Sequence, residues 1–502
     1  MRPVGGRAAG RIVLITGATG YIGGRLVPQL IAEGHRVRVL VRDRRRISAR
    51  PWSSQVEIVV GDAADANDLT NALTGVDTAF YLIHSMSSGA GFGDLDMRMA
   101  STFGRTAGAL GVRRLIYLGG LGDPGSDLSP HLRSRQQTGQ ALRAGGVPVT
   151  EFRAAIIIGA GSVSFEMIRN LVERLPVMIC PQWIYSRVQP IAVGDVLAYL
   201  VAALGNEGCQ DRTIEIGGGS VTTYRGLMLA YARARGLRRL LLPVPVLTPR
   251  LSSYWVHWVT PVHASIARPL VEGLRNDTIA ADSSASEFFP SIKPLDHQSA
   301  IENVIEDLEM GRIDTAWSDA DPTVTESDHQ VDLESGSGLI IEKRRRLVLA
   351  PPEQVFGVIS GIGANRGWYV ANWAWRLRGM VDRLAGGVGL RRGRRHPDQL
   401  RVGDALDFWR VESVEPNRRI RLRAEMKLPG KAWLQFDVRP QPDGSTQLQQ
   451  LAAFAPKGIP GLIYWYGLYP IHAWIFAGLI RGIARNAEEL VAKFPAPGQG
   501  NR

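Results

Sequence analysis

Cysteine is nearly absent from this sequence. Cys180 and Cys209 are the only two in 502 residues, too few for a disulfide framework or for a zinc site built from cysteine alone. The first eleven residues, MRPVGGRAAGR, are basic and glycine-rich and lack the apolar core of a signal peptide. We therefore expect a protein of the reducing cytoplasm.

Long apolar runs are scarce as well. Residues 459–480 are mostly apolar, but Pro470, His472 and several glycines interrupt them. A membrane-spanning helix needs about 20 predominantly apolar residues, and the interruptions favour a packed core helix or an interfacial segment over a span. Together with the basic run at 390–395, this Trp- and Tyr-rich segment leaves two interpretations open, a packed core helix or peripheral contact with an anionic membrane.

The excess of positive charge does not by itself indicate nucleic-acid binding. Lys and Arg number 59 and Asp and Glu 47, a net charge of +12. The basic clusters at 42–46, 343–346 and 391–395 lack the interleaved aromatic residues of a single-strand binder, and no nucleic-acid motif accompanies them. We expect no nucleic-acid partner. No His, Asp and Glu cluster shows metal-ligand spacing either.

The order of apolar and periodic segments predicts two domains. Within residues 10–310, short apolar strands alternate with helical patterns, which predicts a Rossmann-type, doubly wound parallel α/β sheet with a small substrate lobe at about 160–310. Residues 318–338 carry six acidic residues and no Lys or Arg, so we expect a linker. Residues 339–495 alternate as strands and close with a helix at about 459–491, which predicts an α+β domain. The predicted strands of the first domain are residues 11–16, 36–41, 56–60, 78–83, 114–118 and 149–152.

A glycine-rich turn follows the first predicted strand and opens a helix. Gly17 permits a tight turn, Gly20 lets the backbone approach a diphosphate, and Gly23 allows close packing of the helix. The amino terminus of the helix then offers N–H groups to the phosphates. This context predicts a dinucleotide site formed by Gly17, Ala18, Thr19, Gly20, Tyr21, Ile22 and Gly23.

The ends of the following strands indicate which dinucleotide binds. An acidic residue after the second strand would accept from the ribose 2′-hydroxyl of NAD. Arg42 stands there instead, which favours NADP(H) over NAD(H), although the neighbouring Asp43 leaves NAD(H) open. After the third strand come Asp62 and Ala63, where the Asp62 carboxylate accepts from the adenine amino group or caps the next helix.

Three further candidates for cofactor binding lie where parallel strands end, since that edge of the sheet faces the ligand. They are Ile83, His84 and Gly119. For His84, a buried and hydrogen-bonded histidine without ligand contact is the alternative.

Five segments together resemble the extended or atypical short-chain dehydrogenase/reductases, in their NmrA-like branch, to which the nucleotide-binding accessory subunit of mitochondrial complex I is related. They read TGATGYIG, VRVLVRD, GDAAD, FYLIHSM and LIYLGGLG. The resemblance covers about residues 10–310. The remainder is similar to an uncharacterised domain fused to bacterial members of this branch, which looks SRPBCC-like, a helix-grip fold enclosing an apolar cavity.

The resemblance implies a Tyr-x-x-x-Lys pair with a Ser or Thr upstream, but this sequence departs from that pattern. His131 stands at the Tyr position and Arg135 at the Lys position, and residues 118–122 read LGGLG without a hydroxyl. In one interpretation His131 is a general acid/base, with Arg135 on the ribose or substrate, and the protein passes hydride between NADPH and an apolar carbonyl or quinone-like compound. In the other, catalysis is lost, and the protein binds NADP(H) as a redox sensor or scaffold.

Several aromatic and polar residues are candidates for ligand contact. Arg153 follows the sixth strand and would touch substrate or cap a carbonyl. Trp183, Trp255, His257 and Trp258 would line a substrate pocket or fill core. In the second domain, a small apolar molecule such as a lipid or quinone would lie among the aromatic residues, with His472 orienting it, unless these rings and the histidine form a closed core. The aromatic candidates there are Trp368, Trp373, Trp375, Trp409, Trp433, Trp465, Trp474, Tyr464, Tyr466, Tyr469 and Phe476.

Overall fold

The fold is taken from a computed structural model of the chain. It describes residues 12–48, 50–83, 92–122, 128–244, 273–274, 276–281, 283–309, 331–335, 339–363, 367–384 and 400–493. The chain divides into two compact units, residues 1–325 and 326–502.

The first unit is an α/β structure. Its strands are β1 (Ile12–Thr16), β2 (Arg36–Val41), β3 (Glu57–Val60), β4 (Val76–Tyr81), β5 (Arg114–Gly120), β6 (Val149–Ala154), β7 (Ile157–Ile158), β8 (Val177–Pro181), β9 (Arg187–Val188), β10 (Ile191–Ala192), β11 (Thr213–Ile216), β12 (Thr222–Thr223) and β13 (Leu240–Val244). Its helices are α1 (Tyr21–Ala32), α2 (Arg45–Ser48), α3 (Ala66–Leu73), α4 (Phe92–Ala109), α5 (Pro130–Leu142), α6 (Val163–Arg174), α7 (Val193–Gly205), α8 (Tyr224–Ala234), α9 (Ser284–Phe288) and α10 (His297–Glu309).

A seven-stranded parallel sheet forms the centre of this unit. Its strand order is β11-β6-β5-β4-β1-β2-β3, and every neighbouring pair is parallel. Because the order reverses at β1, the chain winds outward in both directions, and a crevice opens at the carboxyl ends of β1 and β4. The predicted doubly wound fold is confirmed, and the six predicted strands are all present with ends shifted by at most two residues.

Both faces of the sheet are covered because its strands are apolar on both sides. Val13 and Ile15 pack with α1 and α7 on one face, while Leu14 packs with α3 and α4 on the other. This near-continuous apolar character is typical of parallel strands between two helical layers. A third apolar cluster unites α6, α8 and α10 beyond the end of the sheet.

The second unit is an antiparallel sheet with helices. Its strands are β14 (Val331–Ser335), β15 (Ile340–Val348), β16 (Ala405–Leu406), β17 (Trp409–Glu415), β18 (Arg419–Ala424), β19 (Gly430–Pro440) and β20 (Thr446–Pro456), in the sheet order β14-β15-β20-β19-β18-β17-β16. Its helices are α11 (Pro352–Ser360), α12 (Asn372–Leu384) and α13 (Gly458–Lys493). Strand residues pack with α11 and the second half of α13 in one core. No helix among the described residues is both long enough and apolar enough to cross a membrane.

Two expectations for this unit need correction. Residues 331–335, inside the predicted linker, form an edge strand that pairs antiparallel with β15; their alternation of apolar and acidic residues is the signal that the linker prediction missed. Three aromatic residues predicted to face an enclosed cavity instead face solvent: Trp373, Tyr466 and Trp474 are 65%, 51% and 52% exposed.

Candidate functional site

The candidate site is a cavity of about 690 Å³ in the first unit, at the carboxyl end of the parallel sheet. Its wall contains the glycine turn at the end of β1, the ends of β2, β3, β4, β5 and β6, the first turns of α5 and α6, and the start of α8. The crevice at a strand-order reversal is where doubly wound sheets bind their ligands.

The glycine turn has the backbone shape that a diphosphate requires. Gly17 has φ +76°, and a Cβ atom there would lie 2.5 Å from the carbonyl oxygen of Leu82. A Cβ atom on Gly23 would collide with the carbonyl oxygen of Gly17. Gly20 is the N-cap of α1. Because glycine has no side chain that could cap the helix, the N–H groups of the first turn stay available beside the cavity. These residues fit a dinucleotide diphosphate.

The ends of β2 and β3 supply charge to the same cavity. Arg42 and Arg46 both line it, whereas Asp43 is not among its lining residues. Asp62 lines it too; its carboxylate accepts from the Ala64 N–H at 2.9 Å in a short turn. The helix-capping role considered for Asp62 belongs to Asp65, which accepts from the N–H groups of residues 67 and 68.

The first turns of α5 bring the two candidate catalytic residues to the cavity. His131 and Arg135 line it beside Gly119, Gly120 and Leu121 at the end of β5. His131 is half-buried. Their spacing of four residues puts both side chains on one face of the helix.

Side-chain hydrogen bonds fix α5 against the sheet. Arg135 donates to the carbonyl oxygen of Leu118 at 2.8 Å, and the Tyr117 hydroxyl donates to the carbonyl oxygen of Arg135 at 2.9 Å. Gln136 donates to the carbonyl oxygen of Gly122 at 2.8 Å. Since these contacts lie within two turns of His131, they fix the part of α5 that carries it.

The far wall of the cavity is apolar. It is formed by side chains of the third apolar cluster, and none of these side chains is charged. They are Met167, Ile168, Leu171, Trp183 and Met228. Tyr224 adds a hydroxyl to this wall, where burial raises the pKa of the phenol and a hydrogen bond with the Thr278 side chain opposes that shift.

Most of the predicted site residues that the structure describes therefore line one cavity, with two exceptions, and four further residues cannot be placed. Ala18 is fully buried in the core and is not part of the lining. Arg153 pairs with the buried carboxylate of Glu151 at 2.8 Å instead of touching the cavity. His84, Trp255, His257 and Trp258 lie outside the described residues. The predicted site residues that line the cavity are Gly17, Thr19, Gly20, Tyr21, Ile22, Gly23, Arg42, Asp62, Ala63, Ile83, Gly119, His131, Arg135 and Trp183.

Sequence reasoning missed five polar residues of the cavity: Arg46, Ser162, Ser164, Tyr224 and Thr278. Arg46 belongs to the basic cluster at 42–46, whose position directly after the second strand was an available signal. Ser164 and Tyr224 begin helices far along the chain, and no local pattern indicates that they meet the glycine turn.

In the second unit, His472 lies inside an aromatic cluster. Its ring centroid is 5.8 Å from those of Trp465 and Phe476 and 6.2 Å from that of Tyr464. Burial, and secondarily the positive charge of Arg378, lowers the pKa of His472 to about 4. The imidazole is therefore neutral near pH 7, and the packed-core role is the one that these contacts support.

Comparison with known proteins agrees with this geometry. Residues 17–154 match a family model described as NAD(P)H-binding, and residues 339–479 match one described as a protein of unknown function (DUF2867). The ceramide reductase of Caulobacter vibrioides is 32% identical over 199 residues, 38% of this chain and 60% of that protein. Mitochondrial NADH dehydrogenase [ubiquinone] 1 alpha subcomplex subunit 9 of Arabidopsis thaliana is 27% identical over 254 residues, 48% of this chain and 63% of that protein.

Among solved structures, the triphenylmethane reductase of Citrobacter sp. matches 59% of this chain and 99% of its own, at 18% identity and a TM-score of 0.48. The chain spans about 60% of the length of the two curated relatives. The resemblance inferred from the sequence is confirmed: an NAD(P)H-binding domain related to the complex I accessory subunit is joined to a second domain of unknown function.

Proposed function

We propose that this NAD(P)H-binding chain is an NADPH-dependent oxidoreductase that reduces the carbonyl group of an apolar, lipid-like or quinone-like compound. The observation that carries the proposal is a single cavity lined by the glycine turn, by His131 and Arg135, and by the apolar wall of α6 and α8. A site that only held a dinucleotide would not need that apolar extension.

Preference for the phosphorylated dinucleotide is supported by charge. Arg42 and Arg46 line the cavity after β2, where a dinucleotide ribose lies in this fold. A guanidinium pairs with a 2′-phosphate through charge-assisted hydrogen bonds, which a 2′-hydroxyl cannot match. Both positions therefore favour NADP(H).

The division of roles follows from the residues around the cavity. A dinucleotide held by the glycine turn would supply hydride for reduction of a carbonyl carbon. His131 donates the proton to the carbonyl oxygen, so that the C=O bond becomes a C–OH bond and the imidazole is left neutral. Arg135 holds α5 against Leu118 and adds positive charge beside the same space. The Tyr224 hydroxyl, which lines the same cavity, is the second hydrogen-bond donor that we assign to the substrate.

The substrate class is supported by the wall and by one relative. Met167, Leu171 and Met228 offer flexible or branched apolar surface that suits long or flat molecules of varied shape. The relative named a ceramide reductase acts, by its name, on a lipid. We therefore expect a lipid ketone, enone or quinone rather than a sugar or an amino acid.

A second candidate function is NADP(H) binding without turnover, as in a redox sensor. The observation that favours it is the end of β5, where residues 118–122 contribute no hydroxyl group, and Arg135 is bonded to the Leu118 carbonyl. Both candidates predict binding; only the first predicts consumption of NADPH.

The test is calorimetric titration of the purified chain with NADPH, NADP⁺, NADH and NAD⁺, followed by an NADPH-oxidation screen over quinones, enones and 3-keto lipids. Tight NADPH binding with turnover on an apolar substrate supports the reductase. Tight binding that distinguishes NADPH from NADP⁺ without turnover on any of them supports the sensor. Absence of binding to all four nucleotides contradicts both.

A further inference from the structure

Helix α1 carries an arginine just beyond the glycine turn, but its side chain is turned away from the dinucleotide space. Arg25 is half-buried and is not among the residues that line the cavity. Its guanidinium donates to the carbonyl oxygen of Ala160 at 2.9 Å, across 135 positions of the chain. The same guanidinium lies 4.3 Å from the centre of the Tyr21 ring. This positive charge beside the glycine turn therefore contacts the protein itself.

The backbone at Ala160 belongs to a tight turn that leads into α6. The Ser162 N–H donates to the Gly159 carbonyl oxygen at 3.0 Å, and Gly161 has φ +81°. The Gly161 N–H donates to the Glu166 carboxylate, in the first turns of α6, at 3.3 Å. Because these bonds join the turn to the helix, the position of the turn sets where α6 begins.

Tyr21 packs on the same turn. A Cβ atom on Gly159 would collide with the Tyr21 hydroxyl oxygen, so the phenol ring approaches the turn as closely as its backbone allows. Tyr21 and Arg25 are four residues apart and lie on one face of α1. Two side chains of the helix that starts at the glycine turn thus hold the entrance to α6.

Helix α6 forms part of the apolar wall of the cavity. Ser164, Met167 and Leu171 line the cavity on successive turns. Glu166 does not line it; this carboxylate is fully buried and pairs with Arg169 at 2.8 Å. Since protein interiors are closely packed and transmit strain, a displaced start of α6 would move the apolar wall relative to the glycine turn.

We propose that Arg25 is a positioning residue for the substrate. By binding the Ala160 carbonyl oxygen, it fixes the distance between the dinucleotide site at the glycine turn and the substrate side of the cavity at α6. Reacting atoms must approach to about 3–3.5 Å, and a misplacement of about 1 Å can cost about 10²-fold in rate. The inference rests on the proposed function, because it takes the α6 wall as the substrate side.

The alternative role for an arginine in this helix is direct pairing with the dinucleotide diphosphate. The bond to Ala160 and the position of Arg25 outside the cavity lining oppose that role. The two roles predict different results. A diphosphate contact controls the Kd for NADPH, whereas a positioning contact controls the reaction of the second substrate and leaves NADPH affinity intact.

The experiment compares Arg25→Gln with wild type, using 2-methyl-1,4-naphthoquinone as the apolar substrate at saturating NADPH. We expect kcat/KM for the quinone to fall at least about tenfold, because a charge-assisted hydrogen bond is lost, and the Kd for NADPH to stay within about twofold. Hydrogen exchange of the amides of residues 161–171 should quicken at least about tenfold. Arg25→Lys keeps a charged donor and should lie between the two proteins. Gln29→Ala, at an exposed position one turn later in α1, is the matched control and should behave like wild type.

Gly159→Ala tests the same contact from the other side without removing a charge. Its methyl group displaces the turn from Tyr21 and should reproduce the pattern of Arg25→Gln, and circular dichroism establishes that both variants fold. Two outcomes overturn the proposal: an NADPH Kd that rises as much as kcat/KM for the quinone falls, or exchange at residues 161–171 that is unchanged in Arg25→Gln.

Failure of the proposed function is recognised separately. A wild-type chain that oxidises no NADPH with any apolar substrate contradicts the proposed activity. The exchange measurement needs no substrate and still decides the contact: faster exchange at residues 161–171 in Arg25→Gln with NADPH affinity kept supports the tie between α1 and α6, and unchanged exchange overturns it.

Discussion

The Arg135 guanidinium donates a hydrogen bond to the carbonyl oxygen of Leu118 at 2.8 Å and so ties α5 to the end of β5. In the family that the sequence resembles, a lysine occupies this position of the helix. A guanidinium reaches farther than an ammonium and holds a fixed planar fork. Here it anchors the helix whose first turn places His131 at the cavity.

Replacing His131 tests the proposed proton donor. We expect His131→Phe to lower kcat by about 10²- to 10⁴-fold, because general acid catalysis contributes that much, and to leave NADPH affinity within about twofold. Steady-state NADPH oxidation and calorimetry measure the two quantities. Arg133→Ala, on the exposed side of the same helix, is the control. Turnover that survives His131→Phe would assign the proton to another group, with Tyr224 the first to examine.

Replacing the arginines after β2 tests nucleotide choice. We expect Arg42→Ala and Arg46→Ala each to raise the Kd for NADPH by about tenfold or more, since a charge-assisted hydrogen bond is worth about 1.5–3 kcal/mol. The Kd for NADH should change little. Arg36→Ala, at an exposed position at the start of β2, should alter neither constant. Equal weakening of NADPH and NADH would place both arginines away from the 2′-phosphate.

A methyl group at Gly23 should disrupt the glycine turn. Its Cβ atom would collide with the Gly17 backbone, so we expect Gly23→Ala to cost about 1–3 kcal/mol of stability and to weaken all four nucleotides. Gly194→Ala is the control: it lies in the first turn of α7 with nothing within 4 Å of the new methyl group, and it should change stability by less than about 1 kcal/mol. Chemical denaturation and calorimetry provide both readouts.

The second unit should become less stable in mild acid because of His472. Its pKa is lowered to about 4 when folded, against about 6.5 unfolded. Between about pH 6.5 and pH 4 the unfolded chain therefore binds a proton at this histidine that the folded chain does not bind. The free energy of unfolding falls as the pH drops through this range. At pH 5 the loss is about 2 kcal/mol.

His472→Gln removes this titration. The decrease in unfolding free energy from pH 7 to pH 5 should be about 2 kcal/mol smaller in the variant than in wild type. Urea denaturation at the two pH values measures it. Parallel pH dependence of the two proteins would show that the imidazole is not held neutral by its aromatic surroundings.

The sequence was sufficient for the parts of the site that are local in the chain. The glycine turn and Arg42 lie next to apolar strands whose ends define the crevice, so their place follows from strand order. Arg153 was predicted less well, although the information was present: Glu151 and Arg153 are two residues apart in β6 and share one face of the sheet, which favours an ion pair.

The remainder of the site depends on contacts between distant segments. Tyr224 and Met228 come about 200 residues after the glycine turn, and they reach the cavity because α8 packs with α6 and α10 in one cluster. No periodicity within α8 shows which cavity its first turn will meet. In the second unit, the number of tryptophans alone led to the prediction that their side chains are buried. Trp373 instead shares one exposed face of α12 with Leu377 and Met380, and the spacing of four and three residues between them was the available signal for a common face.

The pairing of β15 with β20 has a consequence for biosynthesis. Ile340 lies opposite Phe454 and Val348 opposite Thr446, so the partner of an early strand emerges from the ribosome about a hundred residues later. Helix α13, which packs against the sheet, is synthesised later still. Until then β15 has only β14 as a partner, and its other edge stays unpaired, a form prone to association with other nascent chains. We expect high-level synthesis of this protein to depend on chaperones that hold the unfinished second unit, while the first unit can fold ahead of it.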